Sequence, residues 1–100
     1  MHTLLVLYPP PTDPDHFRRY YTETHIPLTR KIPGVRNIQY GFDVQGMGAA
    51  SPYFAVFQAE FESAQAMQAG FASEAGKAVV ADVPKYATGG ITILHFDAAE

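Results

Sequence analysis

A tyrosine and a histidine four residues apart are the clearest candidates for chemistry in this sequence. Tyr21 and His25 stand just before Pro27, and on a helix this spacing places two side chains on one face. Imidazole titrates near neutral pH, so His25 is suited to act as a general acid or base. A neighbouring phenol can orient the imidazole or donate a hydrogen bond to an oxyanion, which predicts an assisting catalytic role for Tyr21.

A structural role accounts for the same pair. Pro27 lacks a backbone donor and biases Ile26 away from helical geometry, so we expect the helix to kink near His25 and Ile26. In this interpretation Tyr21 belongs to the core, and His25 hydrogen-bonds the carbonyl groups that the broken helix leaves open. The two interpretations differ in whether His25 binds only backbone atoms or lies in a pocket.

Further candidates for a substrate-binding site lie after this segment of the chain. Aromatic residues of two predicted strands suit the wall of a pocket for a flat apolar ligand, with packing in the core or a dimer interface as the alternative. Asp82 can act as an acid–base partner or as a turn residue, and Tyr86 has the same two interpretations. His95 alternates with Ile93, so it approaches the cavity if that face points inward. The candidates are Tyr40, Phe57, Asp82, Tyr86 and His95.

The spacing of histidines and glycines predicts no metal site and no cofactor. No two histidines have the His-x-x-x-His spacing of a zinc site. Gly46-Met47-Gly48 is not followed by a helical pattern, so it does not predict a nucleotide-binding loop. Binding of a haem by a single histidine stays an open alternative.

Composition places the chain in the globular class. Its 100 residues predict one domain, spanning residues 1–100, and 47% of them are hydrophobic while 17% are charged. A net charge of -3 is unsuited to binding nucleic acid. The absence of a long apolar run predicts no membrane-spanning helix, and with no secretion signal we expect a cytoplasmic protein. There are no cysteines, so disulfides and thiolate chemistry are excluded.

Hydrophobic patterns and turn residues predict two helical regions and four strands. The strands are predicted at 2–8, 35–44, 53–61 and 88–96. The first helix should begin at Pro14, with Asp13 as its N-cap. We expect Ser63 to cap the second helical region, which continues towards Tyr86. Its predicted breaks are Gly70, Ser73 and Gly76, and the predicted buried stripe of the first helix is Phe17, Tyr20, Tyr21, Thr24 and Leu28.

This order predicts an α+β, ferredoxin-like βαββαβ fold: a four-stranded antiparallel sheet with helices on one face. The opposite face would carry large apolar side chains in the first, third and fourth strands. A bare apolar sheet of that size is not expected on a monomer. We therefore predict a symmetric homodimer in which two sheets face each other.

Short motifs along nearly the whole chain resemble the EthD family, named after ethyl tert-butyl ether degradation. They are, in order, Asp15-His16-Phe17-x-x-Tyr20-Tyr21-x-x-x-His25-x-Pro27-Leu28, Pro33-Gly34, Pro52-Tyr53, Ser73-Glu74 and Ala81-Asp82-Val83-Pro84-Lys85-Tyr86. The resemblance implies a dimeric α+β barrel, and Asp82 matches a family position.

The resemblance to EthD proteins also sets the functional expectation. It implies a cofactor-independent enzyme of oxidoreductase, isomerase or cyclase type, or an accessory protein, acting on a small apolar or aromatic metabolite in a catabolic or oxygenase-linked pathway. A noncatalytic ligand-binding or purely structural dimeric module is the alternative, because one fold serves many functions.

Overall fold

The computed structural model describes residues 1–99 and contains one four-stranded antiparallel sheet. Its strands pair in the order β2-β3-β1-β4, which confirms the predicted ferredoxin-like topology. The last strand begins four residues later than predicted, because Gly90 adopts φ +103° in the turn that precedes it. The strands are β1 (His2–Tyr8), β2 (Arg36–Phe42), β3 (Ala55–Phe61) and β4 (Thr92–Asp97).

The first helix, α1 (Pro14–Tyr20), begins where the sequence predicts. The side chain of Asp13 accepts a hydrogen bond of 3.1 Å from the backbone N–H of His16, as an N-cap does, and Pro14 opens the helix. Phe17 of this helix is fully buried, and the centroid of its ring lies 5.2 Å from that of Tyr8. The N-cap thus fixes where the first aromatic side chain of the helix enters the core.

The expected departure of Ile26 from helical geometry is wrong, because the chain continues through a wide π turn (Tyr21–His25) into α2 (Ile26–Thr29). The N–H of Ile26 donates to the carbonyl of Tyr21, five residues earlier, and Ile26 keeps helical angles. A wide turn changes the hydrogen-bond pairing, and Pro27 brings no N–H that needs a partner. The chain therefore remains helical across the proline.

The wide turn also corrects the predicted buried stripe. Thr24 is exposed, whereas His25 and Ile26 are each 2% exposed. One extra residue in a π turn rotates the following side chains relative to a regular α-helix. His25 points into the protein on the same side as Tyr21, and the two stacked rings have their centroids 5.1 Å apart.

The second helical region consists of α3 (Ala64–Ala72), α4 (Glu74–Asp82) and a 3₁₀ turn (Val83–Lys85). Ser63 caps α3 and Ser73 separates the two helices, both as predicted, and the side chain of Ser73 also caps α4. The predicted breaks at Gly70 and Gly76 are wrong. Both glycines lie inside helices, where a Cβ atom on Gly70 would lie 2.7 Å from the carbonyl oxygen of Pro33. Their role is close packing.

The helices cover one face of the sheet. Leu4, Val6 and Tyr8 of β1 point towards the helices and are buried. On the opposite face, Leu94 and Phe96 of β4 are each 49% exposed. Cross-strand pairing places these two side chains beside Leu5 and Thr3 of β1. Within residues 1–99, no helix is long and apolar enough to cross a membrane.

Candidate functional site

An apolar cavity of about 470 Å³ lies between the helices and the sheet. Its wall is built from the helix-facing side chains of the strands and from the inner faces of the helices. Val6, Phe57 and Ile93 form adjacent parts of the sheet wall, because they pair across β1, β3 and β4. Polar side chains are few in this wall: Tyr8, Tyr21, His25, Thr29, Gln68 and His95. Such a cavity suits a largely apolar ligand with few polar groups.

His25 is held by side chains on both sides of its ring. Its Nδ1 lies 2.9 Å from Oδ2 of Asp82, and its Nε2 lies 2.9 Å from the hydroxyl of Tyr86. Asp82 ends α4 and Tyr86 follows the 3₁₀ turn, so a short helical segment presents both partners. No backbone carbonyl among residues 1–99 binds this ring, which differs from the structural role considered for His25.

Asp82 is buried as a carboxylate. Burial by itself raises its pKa, but hydrogen bonds from Tyr20 and His25, together with the nearby charge of Lys85, lower the pKa below its ordinary value. The Tyr20 hydroxyl donates at 2.6 Å, and the Lys85 ammonium lies 3.8 Å away. A negative charge therefore stands beside the imidazole at neutral pH.

The imidazole of His25 is neutral in this setting. Burial lowers its pKa and outweighs the opposing effect of the Asp82 carboxylate. Because the carboxylate can only accept, the Nδ1–H of His25 donates to Asp82. Nε2 then carries the lone pair and accepts a hydrogen bond from the hydroxyl of Tyr86.

Three phenols extend this arrangement into the cavity wall as a directed chain, the tyrosine relay of Tyr86, Tyr8 and Tyr21. Because Tyr86 donates to His25, Tyr8 must donate to Tyr86, at 2.8 Å. Tyr21 then donates to Tyr8 over a longer 3.4 Å. Burial raises the pKa of all three hydroxyls, so they remain phenols. Tyr21 makes the longest hydrogen bond of the relay, so its O–H is the most weakly held of the three.

The structure brings most of the predicted site residues together, some of them in the cavity wall and others behind it. Tyr21, His25, Phe57 and His95 line the cavity. Asp82 and Tyr86 lie behind it and hold His25. Tyr40 does not line the cavity, and its ring packs against Tyr21 at 5.7 Å between centroids. Tyr21 stacks on His25 and hydrogen-bonds Tyr8.

Two residues of the site, Tyr8 and Tyr20, were not predicted to belong to it. Tyr8 continues the alternation of Leu4 and Val6 along β1, which is the one signal in the sequence that it faces the helices. Tyr20 reaches Asp82 from 62 residues away in the chain, and nothing local indicates that contact. Among residues 1–99, no three His, Asp or Glu side chains are grouped so that they could hold a metal ion.

The fold and the site define a class of protein: ferredoxin-like α+β domains with an apolar cavity between helices and sheet. Within it, the model of the EthD domain matches residues 9–90, and the chain belongs to the EthD family. An uncharacterized 11.0 kDa protein of the thcB-thcC intergenic region of Rhodococcus erythropolis is 38% identical over 98 residues, covering 97% of this chain and 94% of that protein.

Solved structures agree with this assignment. An ethyl tert-butyl ether degradation (EthD) family protein from Bacillus halodurans superimposes with a TM-score of 0.90 at 29% identity, covering 99% of both chains. A dimeric ferredoxin-like protein of unknown function from Thermobifida fusca gives a TM-score of 0.67 at 19% identity, covering 97% of this chain and 89% of that one. At that identity the second likeness concerns the fold alone.

Proposed function

We propose that this protein is a cofactor-independent enzyme that moves a proton on a small, largely apolar or aromatic metabolite. The observation that carries the proposal is the connection of a buried Asp82–His25 pair to tyrosine hydroxyls in the wall of an apolar cavity. An apolar cavity can form without a buried histidine, so packing alone does not account for His25. A neutral imidazole beside a carboxylate is, however, a suitable store for one proton.

The proposed step is removal of a proton from a carbon next to a carbonyl group. Tyr21 turns its O–H towards the carbonyl oxygen and stabilises the negative charge that develops there. Tyr8 receives the substrate proton while its own proton passes to Tyr86. Tyr86 in turn gives its proton to Nε2 of His25.

The step leaves an enolate and an imidazolium. The C–H bond breaks, its electrons form the C=C bond, and each of the two transferring phenols loses one O–H bond and gains another. Asp82 lies 2.9 Å from the ring that gains the positive charge, so the charge forms beside a carboxylate. An enolate is the common starting point for isomerase, cyclase and cofactor-free oxygenase chemistry, and oxidoreductase activity in a degradation pathway is one form of this proposal.

A noncatalytic ligand-binding protein is the second candidate. It is favoured by the hydrogen bonds at both nitrogens of His25, which leave neither nitrogen free for direct contact with a ligand. In that case the tyrosines fix the orientation of a ligand that is delivered unchanged.

Hydrogen–deuterium exchange separates the two candidates without knowledge of the natural substrate. A 4′-alkylacetophenone is incubated in D₂O with the protein, and exchange of its α-hydrogens is followed by NMR while binding is measured by calorimetry. Tyr86→Phe removes one oxygen and cuts the relay. Tyr40→Phe is the matched control, since Tyr40 also contacts Tyr21 but its hydroxyl is outside the relay.

We expect the native protein and Tyr40→Phe to exchange the α-hydrogens, and Tyr86→Phe to bind the ketone with at least tenfold slower exchange, because general acid–base groups contribute about 10²–10⁴ in rate. Binding without exchange by the native protein would leave the noncatalytic candidate. Equal exchange by native protein and Tyr86→Phe would contradict the relay as the proton path.

We also propose that the protein acts as a cytoplasmic homodimer joined through the open face of the sheet. Leu94 and Phe96 are half-exposed there beside Leu5, and the similar Thermobifida fusca protein is described as dimeric. Sedimentation should give twice the mass of 11.0 kDa. The double variant Leu94→Glu, Phe96→Glu should sediment as a monomer. A native monomer at micromolar concentration would contradict the proposal.

A further inference from the structure

A second group of titratable side chains lies at the start of β1, at the other end of this strand from Tyr8. His2, His95 and Asp97 form this terminal histidine cluster. Nδ1 of His2 lies 2.6 Å from Oδ1 of Asp97, and Nε2 of His2 lies 2.8 Å from Nδ1 of His95. His2 is only 5% exposed, although it stands beside the chain end, and His95 forms part of the cavity wall.

The hydrogen bonds fix which nitrogen of the cluster is free. The hydrogen bond from His2 lowers the pKa of Asp97, so Asp97 is a carboxylate and Nδ1 of His2 must donate to it. The other nitrogen, Nε2, is the acceptor of an imidazole whose Nδ1 donates, and it accepts from the Nδ1–H of His95 at 2.8 Å. Nε2 of His95 is left with its lone pair, and no residue among 1–99 hydrogen-bonds it.

The separation of the two polar ends follows from the strand register. His95 pairs with Leu4 on β1, and Tyr8 lies four residues further along the same strand. At about 3.3 Å per residue, the two levels are roughly 13 Å apart. The sheet between them presents Val6, Phe57 and Ile93 to the cavity.

We propose that the cavity binds an elongated, mainly apolar molecule with an oxygen function at each end, one facing the tyrosine relay and the other a hydroxyl that donates to Nε2 of His95. His2 and Asp97 are positioning residues, since they hold His95 in the tautomer that accepts. This inference rests on the proposed role of the cavity as the ligand site and adds the chemistry of the far end of the ligand.

Two matched series of phenols test the far end. The 4-(ω-hydroxyalkyl)phenols carry a hydroxyl at the end of the chain, whereas the 4-alkylphenols of equal chain length do not. A neutral hydrogen bond contributes about 1 kcal/mol net, so the native protein should bind the best-fitting hydroxylated probe roughly fivefold more tightly than its alkyl partner in calorimetry.

Variants assign this preference to His95. His95→Leu should abolish the preference, because the probe's hydroxyl loses its acceptor at this exposed position. Asp97→Ala should reduce the preference while leaving binding of the alkylphenol unchanged. His16→Leu is the control, since His16 is an exposed histidine outside the cavity wall.

The outcomes separate this inference from the proposed function. If neither series binds, the cavity is not the ligand site and both proposals fail. If both series bind with equal affinity, or if the preference survives in His95→Leu, the second polar subsite is refuted while the proton-transfer proposal stands. A preference that disappears in His95→Leu and persists in His16→Leu supports the inference.

Discussion

Replacing Asp82 by asparagine tests the electrostatics of the site most directly. The variant keeps the shape of the side chain and removes its negative charge. The amide oxygen can still accept from Nδ1–H of His25, and the amide N–H₂ can donate to the hydroxyl oxygen of Tyr20, which accepts as readily as it donates. The hydrogen-bond geometry and the tautomer of His25 should therefore persist.

The magnitude follows from two short hydrogen bonds. The carboxylate accepts at 2.6 Å from Tyr20 and at 2.9 Å from His25. Hydrogen bonds to a charged group contribute about 1.5–3 kcal/mol, whereas neutral ones contribute about 1 kcal/mol. Losing roughly 1 kcal/mol at each bond lowers the free energy of unfolding by about 2 kcal/mol. The pKa of His25, already lowered by burial, should fall further because the carboxylate that supports the imidazolium is gone.

Two measurements check the Asp82→Asn variant. Urea denaturation at neutral pH gives the loss in free energy of unfolding, and NMR of the imidazole nitrogens against pH gives the titration and tautomer of His25. Asp15→Asn is the control, because Asp15 is an exposed carboxylate on α1. An unchanged or raised pKa of His25 would show that Asp82 does not act on it as a buried charge, and the proton-storage argument would fail.

Three further predictions concern stability. Stability should be greatest above about pH 6.5, the ordinary pKa of histidine, because the pKa of His25 is lowered on folding and the unfolded chain takes up that proton first. Denaturant unfolding measured between pH 7 and pH 5 should show this loss of stability, and the loss should be smaller in His25→Gln. Gly70→Ala should cost about 1–3 kcal/mol in denaturant unfolding through contact with Pro33, whereas Gly41→Ala, with open space at its Cβ, should not show this cost. Asp13→Ala should lower the free energy of unfolding by about 1 kcal/mol, because the N-cap is lost. A loss no larger than that caused by an alanine substitution at an exposed position outside the caps would contradict the cap.

The sequence predicts the parts of the fold that depend on local rules. Each of these features lies within a few consecutive residues, so it can be recognised without tertiary structure. They are the N-caps Asp13 and Ser63 and the alternation along β1 and β3. Gly70 was misinterpreted because its packing partner, Pro33, lies far away in the chain. The exposure of Thr24 could not be foreseen, since a π turn has no clear sequence pattern.

The candidate site was predicted less completely than the fold for the same reason. The pairing of Tyr21 with His25 is local and visible, but the partners that define the protonation of His25 are 57 and 61 residues away. Asp82 and Tyr86 are recognised as candidates, but the sequence does not identify His25 as the residue that both contact. Their contact with His25 is set by the packing of α2 against α4, which no spacing within one segment reveals.

We expect that the fold does not require the hydroxyls of the relay, and this leads to a last prediction. Tyr86→Phe alone leaves Nε2 of His25 without a donor and also deprives the Tyr8 hydroxyl of its acceptor. Replacing Tyr8, Tyr21 and Tyr86 together by phenylalanine leaves only Nε2 of His25 unpaired. The rings, which supply the packing, are kept in both variants.

The triple variant should therefore lose no more stability than Tyr86→Phe, about 1–3 kcal/mol, the cost of one unsatisfied buried group. Urea denaturation of the two variants and of the native protein measures this directly. If the triple variant instead loses clearly more stability than Tyr86→Phe, the hydroxyls of Tyr8 and Tyr21 stabilise the fold on their own, and the relay is a structural network. If the two losses are equal, the fold is indifferent to two buried hydroxyls that the proposed proton transfer needs, which is the pattern expected when polar groups in a core serve a site.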